Sequence, residues 1–285
     1  MPSPRVLRIL SALGVNALVD VAIVNHGKDA MVENCLKSIF ESEDAKRLIS
    51  SVILRNSRGA YAPPFDVAVI NGKNVGYGAA CNECAKQGIA PYLLFLNPDV
   101  MIRKDALKKA LGFIDSRPDA GLLGIGLTYE DGGVQASKMT FPTAADLAAR
   151  ALGKKRGYAV CDQFESGEAD WVLGAFLLAR RSAFESVGGF DELFFLYFEE
   201  VDLAMRLLRA SWRCLYCAEA KAVHICGGSG GVSPFCAMHS ARSRLLYATR
   251  YFTKREFDRI YRRTVFAEPF LRFAGALIDG GGAAS

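Results

Sequence analysis

Three carboxylates within four residues, Glu199, Glu200 and Asp202, follow directly on the apolar run Phe194-Phe195-Leu196-Tyr197-Phe198. A carboxylate beside such a surface is poorly solvated. Poor solvation raises its pKa toward the range where it accepts a proton from a hydroxyl near neutral pH. The preceding Gly188-Gly189 marks a turn, and the three acids fall where a helix begins. The same residues also suit a structural role. Acids complement a helix N-terminus, and Asp202 and Arg206 have the i,i+4 spacing of an ion pair. Glu199 and Glu200 project about 100° apart on a helix, so at most one faces a given substrate atom squarely.

Three other places carry chemistry. Asn97-Pro98-Asp99 closes the apolar stretch Tyr92–Leu96. In open α/β sheets ligands bind beyond the carboxyl ends of strands, where a carboxylate suits a divalent cation carrying a diphosphate; a strand-end turn that caps the next helix is the plainer reading. Asn74-Val75-Gly76-Tyr77-Gly78-Ala79-Ala80-Cys81-Asn82 combines small residues with a helix start, which lets backbone approach a phosphate or sugar. It is only a fragment of a dinucleotide fingerprint. His224 precedes the glycine-rich stretch Cys226–Gly231, expected to be a loop able to close over a ligand. A lone His is more often structural than a ligand, and His26 and His239 have less support still.

These residues need a scaffold. Val19–Asn25, Ser51–Leu54, Val67–Ile70, Tyr92–Leu96, Gly121–Tyr129 and Trp171–Ala179 read as strands, with short ones at Arg213–Cys217 and Ala222–His224. Asp29–Glu41, Tyr77–Lys86, Lys104–Ser116 and Arg181–Val187 read as helices. The alternation predicts an α/β fold with a mainly parallel central sheet. Ser137–Ala169 is less regular, with an expected mobile loop. Beyond Pro234 basic and aromatic residues interleave, predicting helices outside the core.

The composition narrows the classes. With 285 residues, 51% of them hydrophobic, the chain is too apolar to be disordered. A net charge of +5 suits an anionic partner such as a nucleotide or a phospholipid surface; nothing points to nucleic acid. Two C-x-x-C pairs, Cys81/Cys84 and Cys214/Cys217, have zinc-like spacing. The first lies in a helix, and the second on a strand where an offset of three points to opposite faces, so both are read as packing residues. Arg5 and Arg8 before Ile9–Val19 imitate a signal peptide, but Asp20 interrupts the stretch and the first strand follows, which favours a cytoplasmic chain. No run reaches the 18 or so apolar residues expected of a membrane span.

From Val19 to Gly231 the chain resembles glycosyltransferase family 2, inverting enzymes of GT-A fold, and more narrowly its bacterial rhamnosyltransferase-like branch. The marks are Val24-Asn25-His26, N-x-G-Y-G-A-A-x-N at Asn74–Asn82, L-N-P-D-V at Leu96–Val100, D-W-V-L-G-A at Asp170–Ala175 and G-G-F-D-E-x-F-F-L-Y-F-E-E-V-D-L at Gly188–Leu203. The resemblance implies transfer of a sugar, with rhamnose suggested by the branch, from a nucleotide-diphosphate donor to a hydroxyl of a glycan or lipid-linked acceptor. It implies that Asp99 and His224 hold a divalent cation, Mn2+ or Mg2+, with Asn97 standing where many members have the first Asp of D-x-D. Glu200 matches the catalytic base, where many relatives have Asp. Asn25, Asn56, Asn74, Gly76, Asn97 and Asp99 match the donor side. Trp171 and Gly174 match the acceptor wall, leaving Glu199 and Asp202 to orient the acceptor or brace the helix. One departure bears on function. The second strand ends Leu54-Arg55-Asn56-Ser57, where the family has an Asp-Asn pair; Arg55 there leaves a non-catalytic sugar-nucleotide binder or assembly subunit as the alternative.

The expected organisation is an N-terminal extension (1–18), a GT-A domain (19–233) and a C-terminal helical extension (234–285). Two readings of the last segment stay open: a helix lying on an anionic membrane at the cytoplasmic face, or helices packed on the domain or on a second copy in a homo-oligomer. A nicotinamide oxidoreductase is disfavoured, because the position after the first strand reads Asn25-His26-Gly27-Lys28 rather than a glycine fingerprint.

Overall fold

The computed structural model describes residues 17–152, 160–225 and 233–271. The N-terminal stretch through residue 16, part of the expected mobile loop (153–159), the glycine-rich stretch after Ile225 and the tail from residue 272 lie outside the described residues.

The first strand, β1 (Val19–Asn25), is buried along nearly its whole length. It pairs in parallel with β2 (Ile49–Asn56) on one side and β4 (Tyr92–Leu96) on the other. β3 (Ala68–Asn71) extends the sheet beyond β2. The main path reads β3-β2-β1-β4-β11-β6-β12-β5, where β5 is Val100–Ile102, β6 Ala120–Thr128, β11 Phe176–Arg180 and β12 Arg213–His224. The chain runs outward from β1 to β3 and then returns to β1's other edge with β4. That reversal opens a crevice at the carboxyl ends of β1 and β4, where open sheets bind ligands. β11 runs antiparallel between β4 and β6.

Alternating side chains send the sheet's two faces into separate cores. Val19, Val21 and Ile23 pack with Cys35, Leu36 and Ile39 of α1 (Asp29–Phe40) and with Leu107, Leu111 and Ile114 of α4 (Ala106–Asp115). Ala22, Phe95 and Leu177 pack on the opposite face with Cys81 and Cys84 of α3 (Tyr77–Ala85), Phe184 of α6 (Arg181–Ser186) and Leu203 of α7 (Glu199–Arg209). The acid that breaks the apolar N-terminal run has a partner. Asp20 is 2% exposed and accepts from Arg181 Nη2 at 2.8 Å, the Ala90 amide at 2.8 Å and the Ser51 hydroxyl at 2.6 Å. Cys214 and Cys217 fall in the two different cores, and all the described cysteines are free.

Four local differences from the sequence expectation have physical causes. α2 (Glu43–Leu48) is short and rests on its Ser42 cap rather than on a clear apolar stripe. α5 (Ala144–Arg150) starts at a Thr143/Asp146 capping box inside the region read as irregular. β12 is one strand with a register shift between Cys217 and Lys221, not two. The strand expected over Trp171–Ala179 is broken: β10 (Trp171–Val172) pairs with β8 (Lys138–Met139), and the Leu173 amide bonds Ser137 before the chain crosses to β11.

The C-terminal helices are not outside the core. Tyr247 and Ala248 of α8 (Pro234–Tyr251) and Ile260 of α9 (Lys254–Arg262) belong to the α3/α7 core, and α9 packs on α5. Among the described residues no helix is long and apolar enough to cross a membrane. Asp202 locks this arrangement. Fully buried, it accepts from Arg206 Nε at 2.7 Å, Arg250 Nη1 at 3.1 Å and the Tyr251 hydroxyl at 2.7 Å, while Arg250 Nη2 reaches Asp191 at 2.6 Å. Of its two expected roles, acceptor contact and helix brace, the geometry gives Asp202 the brace. Replacing it by Ala leaves two guanidinium groups facing an empty site. We expect Asp202→Ala to lose about 3 kcal/mol of stability in thermal or denaturant unfolding; an unchanged midpoint would remove the brace role.

Candidate active site

The crevice floor is built by asparagines. Asn25, Asn56 and Asn71 stand in register at the carboxyl ends of β1, β2 and β3. Asn25 Nδ2 donates to Asn56 Oδ1 at 3.2 Å, and Asn56 Nδ2 donates to Asn71 Oδ1 at 2.8 Å. Asn25 and Asn56 are fully buried, and their amides also engage Asp29, Lys28 and Gly59. These side chains therefore shape the loops around a donor rather than offer atoms to it. Asn71 is the rung the sequence reading missed; its shared strand-end position was the available signal.

Arg55 fixes the next loop. It is 3% exposed, forms an ion pair with Glu83 of α3, and donates to the carbonyls of Asn56 at 2.8 Å and Lys73 at 3.0 Å. Its guanidinium thus clamps the loop that leads to α3. In that loop the exposed Asn74 accepts from the Gly76 amide at 3.1 Å. Gly76 has φ +93°, and a Cβ there would lie 2.6 Å from the Phe195 carbonyl oxygen. The Tyr77 amide donates to that same oxygen at 2.9 Å. A glycine is required for the loop to seat on the aromatic run.

On the other side, Asp99 and His224 come together. Both are buried, and β5–β12 pairing places His224 opposite Val100. The Ile225 amide bonds the Asp99 carbonyl at 3.0 Å. His224 Nε2 lies 3.3 Å from Asp99 Oδ1, and His224 Nδ1 lies 2.9 Å from Gln135 Oε1. A carbonyl oxygen only accepts, so Nδ1 carries the proton, and in the neutral ring a lone pair on Nε2 faces the carboxylate. Two Lewis bases aimed at one point, with the imidazole oriented by an outer hydrogen bond, fit a divalent cation. Among the described residues no three His, Cys, Asp or Glu side chains form a metal cluster, so a cation here would draw its remaining ligands from a bound diphosphate or water. Gln135 was not found from sequence, because its role depends on a strand pairing remote from His224.

Between the halves runs Gly174-Ala175, the crossover between β10 and β11. The Asn97 amide bonds the Ala175 carbonyl at 2.9 Å, while Gly174 lies against the Glu200 side chain, close enough for its backbone to lower the Glu200 pKa. A Cβ on Gly174 would sit 3.7 Å from Glu200 Oε1. The Tyr77 hydroxyl donates to the Gly174 carbonyl at 3.3 Å. One dipeptide therefore touches the strand end that carries Asp99, the helix that carries Glu200 and the donor loop. Trp171, 3% exposed with its indole donating to Thr140 at 2.8 Å, supports this crossover from within the core.

α7 starts abruptly. Tyr197 and Phe198 have φ +68° and +70°, a pair of left-handed residues costing about 1–3 kcal/mol each. Burial of Phe198 against Tyr247, ring centroids 5.4 Å apart, holds the second of them. Glu199 and Glu200 then diverge. Glu200 lies at the crossover, with Oε2 shielded from solvent and unbonded. Burial pushes its pKa up, and hydrogen bonds from the Gly174 and Val201 amides moderate the rise. Glu199 turns inward, 6% exposed, its Cβ 3.6 Å from a Cβ built on Gly78 and its charge felt by Tyr77 and Cys81. Burial first, then the neighbouring Glu200, raises its pKa well above the usual carboxylate range. Glu199 thus faces α3 rather than the crossover.

The raised Glu199 pKa has a stability consequence with a definite sign. The folded protein holds a proton that the unfolded chain gives up at the ordinary glutamate pKa. Stability from this site is therefore full below that value and is lost as pH rises through the raised folded value. Glu199→Gln removes the loss. We expect the melting temperature of Glu199→Gln to gain on that of the unchanged protein as pH rises from about 4.5 toward neutrality; parallel curves would show that Glu199 ionises normally.

Comparison with known proteins follows the same lines. Residues 20–188, more than half of the chain, match the family described as glycosyl transferase family 2; the match ends before Glu199, Glu200 and His224. The chain is 31% identical over 202 residues to the N-acetylglucosaminyl-diphospho-decaprenol L-rhamnosyltransferase of Mycobacterium tuberculosis, covering 63% of this chain and 66% of that protein. It is 26% identical over 265 residues to the rhamnosyltransferase WbbL of Escherichia coli K12, covering 88% and 95%. Its fold matches that of the mannosyltransferase PcManGT from Pyrobaculum calidifontis, solved with GDP-Man and Mn2+, with a TM-score of 0.56, 15% identity and coverage of 94% of this chain and 76% of that one. The sheet order, the crevice at its reversal and these similarities make the fold GT-A, and the chain belongs to glycosyltransferase family 2.

Proposed function

We propose that this glycosyltransferase moves a sugar, rhamnose by analogy with its relatives, from a nucleotide-diphosphate donor to a hydroxyl of a lipid-linked or glycan acceptor in one inverting displacement. The observation that carries the reading is the Gly174-Ala175 crossover, which bonds the strand end that leads to Asp99 through the Asn97 amide and packs against the Glu200 side chain. The donor diphosphate lies toward Asp99, Asn97 and His224, and its nucleoside over the loops shaped by Asn25, Asn56, Asn74 and Gly76. A divalent cation held by Asp99 and His224 would, when bound, neutralise charge on the leaving diphosphate.

Glu200 is the base. As the acceptor oxygen attacks the anomeric carbon, its proton passes to the Glu200 carboxylate, and the electron pair of the anomeric C–O bond leaves with the nucleoside diphosphate. Desolvation raises the basicity of Glu200. Asp202 and Arg206 hold the helix from behind. Arg55, the residue that favoured a non-catalytic reading, is engaged by Glu83 and two backbone carbonyls, which supports turnover.

We expect Glu200→Gln to keep the donor-induced rise in melting temperature, measured with dTDP-rhamnose and other nucleotide sugars, and to lose about 10²–10⁴ of the transfer rate; full transfer by this variant would remove Glu200 from the base role. Asp99→Asn and His224→Ala should abolish the Mn2+-dependent part of donor binding in the same thermal-shift assay. Because an imidazole ligand suits Mn2+ better than Mg2+, Mn2+ should support activity at least as well. Activity supported by Mg2+ and abolished by Mn2+ would contradict the assignment of His224.

A further inference from the structure

One surface has no part in the transfer chemistry. α9 and the turn that follows it bury Ile260, Thr264 and Glu268, pack Phe257 on the core and expose a row of basic and aromatic residues. Phe266 and Phe270 are 67% and 70% exposed, and Tyr261, Val265 and Leu271 are also exposed. Such large apolar groups on a soluble surface mark an interaction site. The charges around them are unbalanced in one direction. Asp258 pairs with Lys254 at 2.9 Å, Glu256 caps the helix through Thr253, and Glu268 is buried against Arg244 at 2.8 Å. Two of the three acids are thus paired with a cation, and Glu256 is held at the helix N-terminus by Thr253. Arg255, Arg259 and Arg262 are exposed, and none of them forms an ion pair among the described residues.

We propose that this face docks on an anionic phospholipid bilayer, the aromatic rings entering the interface and the three arginines meeting headgroup charge. Charge complementarity selects this occupant: a basic surface studded with aromatic side chains matches an anionic interface and repels a second copy of itself. The position is consistent with it. α9 packs on α5, whose Arg150 is felt by Glu200, so one helix separates α9 from the proposed base. The fold also dictates how the idea is tested. Because α8 belongs to the core, deleting the segment from Pro234 would unfold the protein, and point changes on exposed residues are needed instead.

The test is flotation of the full chain with vesicles of phosphatidylcholine alone and of phosphatidylcholine mixed with phosphatidylglycerol. The unchanged protein should float with the mixed vesicles and remain behind with the neutral ones. Phe266→Ser with Phe270→Ser should reduce the bound fraction at least tenfold. Reversing Arg255, Arg259 and Arg262 to Glu should reduce partitioning about a hundredfold, with melting temperatures unchanged in both variants. Failure of the unchanged protein to float with anionic vesicles overturns the proposal, as does equal flotation of both variants. A dimer in sedimentation that the Phe changes dissolve, without vesicle binding, assigns the face to self-association and overturns it too. No arm uses a sugar nucleotide, so the outcome is independent of the transferase reading.

Discussion

A single buried carboxylate, Asp202, orders the region on which the chemistry depends. It joins α7 to Arg250 and Tyr251 at the end of α8, and Arg250 reaches on to Asp191 at the start of the aromatic run. That closure lets two consecutive left-handed residues, Tyr197 and Phe198, persist at the start of a helix. Without it the strain at the turn would relax, and the direction in which Glu199 and Glu200 leave the backbone would change with it. The Glu199–Asp202 segment and the C-terminal helices are therefore one structural unit, although the whole of β12 separates them in sequence.

The turn does two things at once. Its Phe195 carbonyl seats the donor loop through Tyr77 and demands glycine at position 76. Its last residue starts the helix that aims Glu200 at Gly174 and turns Glu199 into the protein. Two adjacent acids with the same chemistry thus acquire different work. One packs against the Gly174 crossover; the other is buried against α3, where ionisation is disfavoured. Burial and the neighbouring Glu200 together disfavour a second negative charge at Glu199.

Much of this was legible in the sequence. β-branched and apolar runs located the strands of the parallel half, and the long Gly188–Leu203 motif pointed to Glu200. Asp99 and His224 were each visible as residues at a strand end, and the structure brings them within 3.3 Å. What stayed hidden depends on contacts between remote segments. Gln135 orients His224 across 89 positions, and Arg55 read as a loss because its partners, Glu83 on α3 and the Lys73 carbonyl in the loop before it, are brought to it by a path that no local pattern reveals. The break between Val172 and Phe176 was hidden for the same reason: Leu173 follows Ser137 rather than its own strand. α8 read as peripheral because a basic-aromatic helix looks alike on a surface and against a core, until Tyr247 and Arg250 have partners.

The account rests on Glu200 and the Asp99–His224 pair standing on opposite sides of one reacting carbon. A crystal structure with Mn2+ and an unreactive nucleotide-sugar analogue tests that arrangement most directly. The prediction is a cation bound by Asp99 Oδ1 and His224 Nε2 at the diphosphate, with the Glu200 carboxylate on the face of the anomeric carbon opposite the leaving group. A cation held elsewhere, or Glu199 rather than Glu200 facing that carbon, would contradict it.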